Sequence, residues 1–143
     1  MDKKAIIEFL DANKGKDIII VQGLGFVGVA MSLVCANCEN KAYAVIGIDL
    51  PNERGIGIVN GINNGDMHIN AADETIDNLF QKTKLTGNFI ATVDTDAYKY
   101  GDVIIVDVNL DVIKKNSRSG NLEGYNVDLD SFKNSINIIG KKC

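Results

Sequence analysis

The chain of 143 residues carries 45% apolar and 24% charged residues, the values of an ordinary globular domain long enough for a hydrophobic core. Its net charge of −4 argues against a nucleic-acid surface, because coating phosphates needs a clustered surplus of Lys and Arg. No apolar run reaches the roughly 18–20 residues of a membrane span. The opening Met1-Asp2-Lys3-Lys4 leads into an amphipathic stretch rather than a signal-peptide core, so the expected location is cytoplasmic.

Residues 2–13 place Ile6, Phe9 and Leu10 on one helical face, and Lys14-Gly15-Lys16 ends that helix. Ile18-Ile19-Ile20-Val21 is a continuous β-branched run, the pattern of a strand buried on both faces. A glycine cluster follows at once, and residues 26–38 read as a helix rich in Val, Ala, Met and Leu. Residues 43–48 form a second strand that ends at Asp49. Pro51 and Gly55 break the chain, and Gly55, Gly57 and Gly61 leave only a short, weak helix through Ile58 and Ile62. Asn63-Asn64-Gly65-Asp66 is a turn cluster, and Asp73 can cap a helix that buries Ile76, Leu79 and Phe80. A third strand over 89–93 leads to Asp94-Thr95-Asp96 and a short turn ending at Gly101. The fourth strand is Val103-Ile104-Ile105-Val106. A polar loop is expected over 114–126, then a last helix from near Asp128 with Leu129, Phe132, Ile136 and Ile139 on one face.

Short apolar strands separated by helices favour an α/β fold, a doubly wound parallel sheet covered on both faces. The expected organisation is an extra N-terminal helix over 1–16 and one domain over 17–143. A complete sheet of this kind has six strands in the order 3-2-1-4-5-6, whereas four are readable here, so the expected domain is incomplete, truncated before its last strands. The free outer edge of the fourth strand would invite pairing with another chain, a homodimer.

Three cysteines, Cys35, Cys38 and Cys143, make no disulfide framework. The Cys35-x-x-Cys38 spacing suits a metal or redox pair, but no second pair or histidine cluster completes a zinc site. Reduced cysteines packed as small apolar residues, and no metal, are the expectation. The single histidine, His68, falls in a polar loop and reads as a solvated side chain.

The motif that carries chemistry is Gly23-Leu24-Gly25-Phe26-Val27-Gly28, a G-x-G-x-x-G pattern that follows a buried strand and opens a helix. Asp49 ends the next strand 21 residues after Gly28, against about 20 expected for a dinucleotide-binding, Rossmann-type unit. Gly23 allows the tight turn, Gly25 lets a pyrophosphate approach the backbone, and Gly28 lets helix and sheet pack closely. Amides near Phe26 and Val27 would face the phosphates at the positive end of the helix dipole. Asp49 can accept hydrogen bonds from the adenosine ribose and repels the extra phosphate of NADP. Arg54 is nearby and could meet that phosphate; with Asp49 in place, NAD is the preferred cofactor. The methyltransferase arrangement, G-x-G-x-G, would need its third glycine at Val27.

Further matches extend the pattern. Ile19-Ile20-Val21-Gln22 with the glycine motif and its Phe-Val filling resembles the opening of the UDP-glucose/GDP-mannose dehydrogenase family, the nucleotide-sugar dehydrogenases. Val45-Ile46-Gly47-Ile48-Asp49 is similar to their second strand, and Ile62-Asn63-Asn64-Gly65 to the turn after their second helix. Ala91-Thr92-Val93-Asp94 resembles their A-T-T-D segment, Asp102-Val103-Ile104-Ile105-Val106 their A-D-V-I-I strand, and Val127-Asp128-Leu129 the start of their next helix. The resemblance runs in order from about residue 17 to the end.

The resemblance implies NAD-dependent oxidation of the C6 alcohol of a UDP- or GDP-sugar to the carboxylate, as in polysaccharide biosynthesis. The cysteine, glutamate and lysine that perform it in such enzymes lie in a later region, so no catalytic residue is assigned here and this stretch alone is expected to be inactive. Cys143 ends a helix rather than sitting in the family's G-G-x-C loop. Val108-Asn109-Leu110-Asp111 stands where the family has V-P-T-P, which leaves that threonine's role unassigned, and Val93 replaces one threonine of A-T-T-D. A stand-alone NAD-binding or sensing module, and the cofactor domain of a related hydroxy-acid dehydrogenase, remain open beside the nucleotide-sugar reading.

Overall fold

A computed structural model describes residues 3–69, 74–116 and 122–143. The chain divides into two compact units, Met1–Asp107 and Val108–Cys143.

In the first unit the β-branched runs become strands: β1 (Asp17–Gln22), β2 (Tyr43–Ile48), β3 (Phe89–Thr92) and β4 (Val103–Val106). They form one sheet ordered β3-β2-β1-β4, and every neighbouring pair is parallel. Ile20 of β1 lies level with Ile46 of β2 on one side and Ile104 of β4 on the other. All but the first residue of β1 and of β2 are buried, as central strands covered on both faces must be. This is a Rossmann-like α/β fold, the doubly wound parallel class that the strand and helix pattern implied.

Among the described residues four α-helices belong to this unit: α1 (Lys3–Ala12), α2 (Phe26–Ala36), α3 (Glu53–Asn64) and α4 (Glu74–Thr86). Val29 and Leu33 of α2, Ile58, Val59 and Ile62 of α3 and Phe80 of α4 meet around Leu24 and Ala91. The opening helix α1 buries Ile6 and Phe9. Beyond it, the buried Asn13 amide donates to the carbonyls of Phe9 (2.9 Å) and Gly87 (3.0 Å), tying the helix end to the turn before β3. Between β3 and β4, a 3-10 helix (Thr95–Tyr100) is capped by Asp94, which accepts from the Asp96 amide at 2.9 Å.

Helix α3 is longer than its three glycines suggest. Their propensity deficit is roughly 1 kcal/mol each, whereas burying Ile58, Val59 and Ile62 contributes roughly 1.5–3 kcal/mol each, so burial prevails. Asn52 caps its start by accepting from the Gly55 amide at 2.8 Å, and Gly65 (φ 89°) closes it in the left-handed region. Asn63 and Asn64 therefore belong to the helix rather than to a turn. Helix α2 ends at Ala36, short of Cys38, because Asn37 closes it: its side-chain amide donates to the carbonyls of Leu33 (2.8 Å) and Leu79 (3.2 Å). The cap expected at Asp73 lies outside the described residues.

The second unit corrects the expected polar loop over 114–126. There β5 (Asp111–Asn116) and β6 (Leu122–Asp128) pair as an antiparallel hairpin, of which 117–121 lie outside the described residues. Its register sets Val112 against Val127 and Lys114 against Tyr125. A two-stranded ladder is held by backbone hydrogen bonds and needs no apolar alternation, so polar strands leave no periodic signal. The last helix, α5 (Asp130–Lys142), starts after Asp128, whose carboxylate accepts from the Asp130 amide at 2.9 Å. Among the described residues no helix is long and apolar enough to cross a membrane.

Candidate cofactor site

The strand order reverses between β1 and β4, and in open parallel sheets ligands bind at such a switch point, outside the carboxyl ends of the strands. The glycine turn lies there. Gly23 has φ 89°, a left-handed conformation, and donates its amide to the Ile48 carbonyl at 2.8 Å. A side chain on Gly23 would overlap the Asp107 carbonyl, and one on Gly28 would overlap the Gly23 carbonyl. Around Gly25 there is nothing within 4 Å of where a Cβ would stand, so the space above the second glycine is open.

Gly25 is also the N-cap of α2, and no side chain caps that helix or places a carboxylate in its first turn. Its first amides therefore retain the positive end of the helix dipole for an external anion. Phe26 and Val27, the first two residues, keep 62% and 58% of their surface exposed, so the entrance is not covered. An open glycine turn and an uncapped helix start fit a dinucleotide pyrophosphate.

Asp49 stands just past β2, where its carboxylate braces the glycine turn. Its Oδ2 accepts from the Leu24 amide at 2.9 Å and its Oδ1 from the Leu50 amide at 2.7 Å. Each carboxylate oxygen has a second lone pair, so two acceptor positions remain for hydroxyl groups. The Leu24 side chain is wholly buried over Gly47, where a Cβ would come within 2.6 Å of its methyl group. Arg54 is exposed in the first turn of α3, the helix that follows Asp49.

Three residues that touch the turn carried no recognisable signal in the sequence. Gly55 tucks under the Asp49 turn, and a side chain there would overlap the Leu50 carbonyl. Asp107, after β4, donates its amide to the Gln22 carbonyl at 2.8 Å, and its Oδ2 is 3.1 Å from a Cβ placed on Gly28. His68 is exposed, but its Nε2 bonds the Leu24 carbonyl at 2.9 Å, so the ring is tied to the glycine turn rather than simply solvated.

The cysteines lie elsewhere. Cys35 is half-buried at the end of α2, and burial, reinforced by neighbouring Cys38, pushes its thiol pKa up. Cys38 and Cys143 are exposed, which corrects the expectation of packed thiols. Among the described residues no group of three or more His, Cys, Asp or Glu side chains is placed to hold a metal ion.

Fold and turn together define the class, a Rossmann-like α/β unit with a glycine turn at its switch point. No family model matches the chain, and no curated protein matches it. Among solved structures, it is similar to the NDP-N-acetyl-D-galactosaminuronic acid dehydrogenase from Methanosarcina mazei Go1, with a TM-score of 0.70 and 19% identity. The likeness covers 99% of this chain and 28% of that one, so this chain spans little more than a quarter of the dehydrogenase's length. At that identity the likeness shows the fold.

Proposed function

We propose that this chain is the NAD-binding part of a nucleotide-sugar dehydrogenase that oxidises the C6 alcohol of a UDP- or GDP-sugar to the carboxylate. One observation carries the reading: an uncapped glycine turn at the β1–β4 switch point, bonded through the Leu24 amide to Asp49. The ordered motif matches and the fold shared with a dehydrogenase of an NDP-sugar support it. Gly23, Gly25 and Gly28 shape the turn, the Phe26 and Val27 amides receive the pyrophosphate, and Asp49 takes the adenosine ribose hydroxyls. NAD is bound in preference to NADP because the Asp49 carboxylate repels a 2′-phosphate, with Arg54 placed to modulate that preference. The hydride transfers use residues beyond those assigned here.

Calorimetric titration of the chain with NAD and NADP tests the assignment. Charge-assisted hydrogen bonds contribute roughly 1.5–3 kcal/mol, so Asp49→Asn should weaken NAD about tenfold or more and narrow its advantage over NADP. Absence of NAD binding, or an unchanged affinity and selectivity in the variant, would sink the reading.

A further inference from the structure

The Leu24–Gly25 peptide lies between the two residues that matter most to the turn. Leu24 cannot move as a body: its side chain is fully buried and its amide is held by Asp49. The following peptide unit has no such restraint of its own. Gly25 has no Cβ, and nothing stands within 4 Å of where one would be, so sterics do little to stop that unit rotating about its flanking bonds. Its carbonyl is nevertheless held, by His68 Nε2 at 2.9 Å. A carbonyl oxygen only accepts, so Nε2 is the donor and carries the hydrogen. The peptide is trans and planar, so fixing the direction of the Leu24 carbonyl fixes the Gly25 N–H in the opposite direction. His68 is itself anchored, because Met67 and Ile69 on either side pack against the core cluster that contains Leu24.

We propose that His68 is a positioning residue for the glycine turn, holding the Leu24 carbonyl so that the Leu24–Gly25 peptide keeps one orientation and the Phe26 and Val27 amides that follow it stay presented to the cofactor pyrophosphate. The role rests on the dinucleotide reading above. It makes residues 66–69, which follow α3, a part of the cofactor site, and it assigns a geometric task to the chain's only histidine.

The test compares the full chain with His68→Ala and His68→Gln, the second of which keeps an N–H donor at similar reach. Each is titrated with NAD by calorimetry, and the Gly25 amide is followed by 1H–15N NMR in the free protein. One net hydrogen bond predicts NAD binding about fivefold weaker in His68→Ala, with His68→Gln within about twofold of wild type. The Gly25 cross-peak should broaden or split in His68→Ala and stay sharp in His68→Gln. Wild-type binding that His68→Ala leaves unchanged overturns the inference while the dinucleotide reading stands. Equal weakening in both variants also overturns it, since the donor would then not be what matters. A wild-type chain that binds no NAD overturns the dinucleotide reading and this role with it.

Discussion

Replacing Gly28 with alanine sets two opposed effects against each other. Alanine is the better helix former by about 1 kcal/mol, and Gly28 sits in the first turn of α2. The added methyl, however, would overlap the Gly23 carbonyl oxygen and lie 2.9 Å from the Gly23 carbonyl carbon and 3.1 Å from Asp107 Oδ2. The Gly23 carbonyl cannot swing aside like a side-chain tip, because that residue is held at φ 89° with its amide on Ile48. The helix itself must back away, and overpacking of this kind costs about 1–3 kcal/mol or more. With backbone as the obstacle the upper end applies, for a net loss of about 1–2 kcal/mol. Gly57 supplies the control: it is exposed within α3, with nothing within 4 Å of its Cβ position. There the same substitution should stabilise by up to about 1 kcal/mol. Urea denaturation followed by circular dichroism should separate the two variants by about 1 M in midpoint. A Gly28→Ala chain at least as stable as wild type would refute close helix–strand packing as the reason for this glycine.

At the outer edge of β3, the Asn63 carboxamide both donates to the Ala91 carbonyl and accepts from its amide, each at 2.9 Å, in place of a neighbouring strand. Asn63→Ala should therefore cost about 1–2 kcal/mol in urea denaturation and speed hydrogen exchange at Ala91; unchanged exchange would count against edge capping. The thiolate is the reactive form, and the Cys35 pKa is raised, so iodoacetamide near neutral pH should modify Cys38 and Cys143 first. Mass spectrometry should show Cys35 lagging and the lag shrinking as pH rises; equal rates throughout would contradict its burial. Among the described residues β4 pairs only with β1, and Val103 on it is half exposed. Light scattering at high concentration should accordingly detect dimers, whereas a strictly monomeric chain would argue against pairing at that edge.

What the sequence by itself determined is local. The apolar runs at 18–21 and 43–48 read as buried strands and are so at all but the first residue of each strand, whereas 103–106, also expected to be buried, is a strand at the sheet edge with Val103 exposed and the rest only partly covered. The glycine turn was legible because its spacing answers to backbone conformation within a few residues. The carboxylate at Asp49 was legible from its place after the second strand. The tertiary structure decided what depends on distant partners. Helix α3 gains its length from the core that Ile58, Val59 and Ile62 enter, against the preference of its own glycines. The polar hairpin of β5 and β6 exists through cross-strand backbone pairing, which leaves no periodicity to read. His68 meets Leu24 across 44 residues, and Asp107 reaches Gly28 from the end of another strand. Contacts of that kind arise only once the sheet order brings chain ends together, so a single sequence carries the turn but not the residues that hold it.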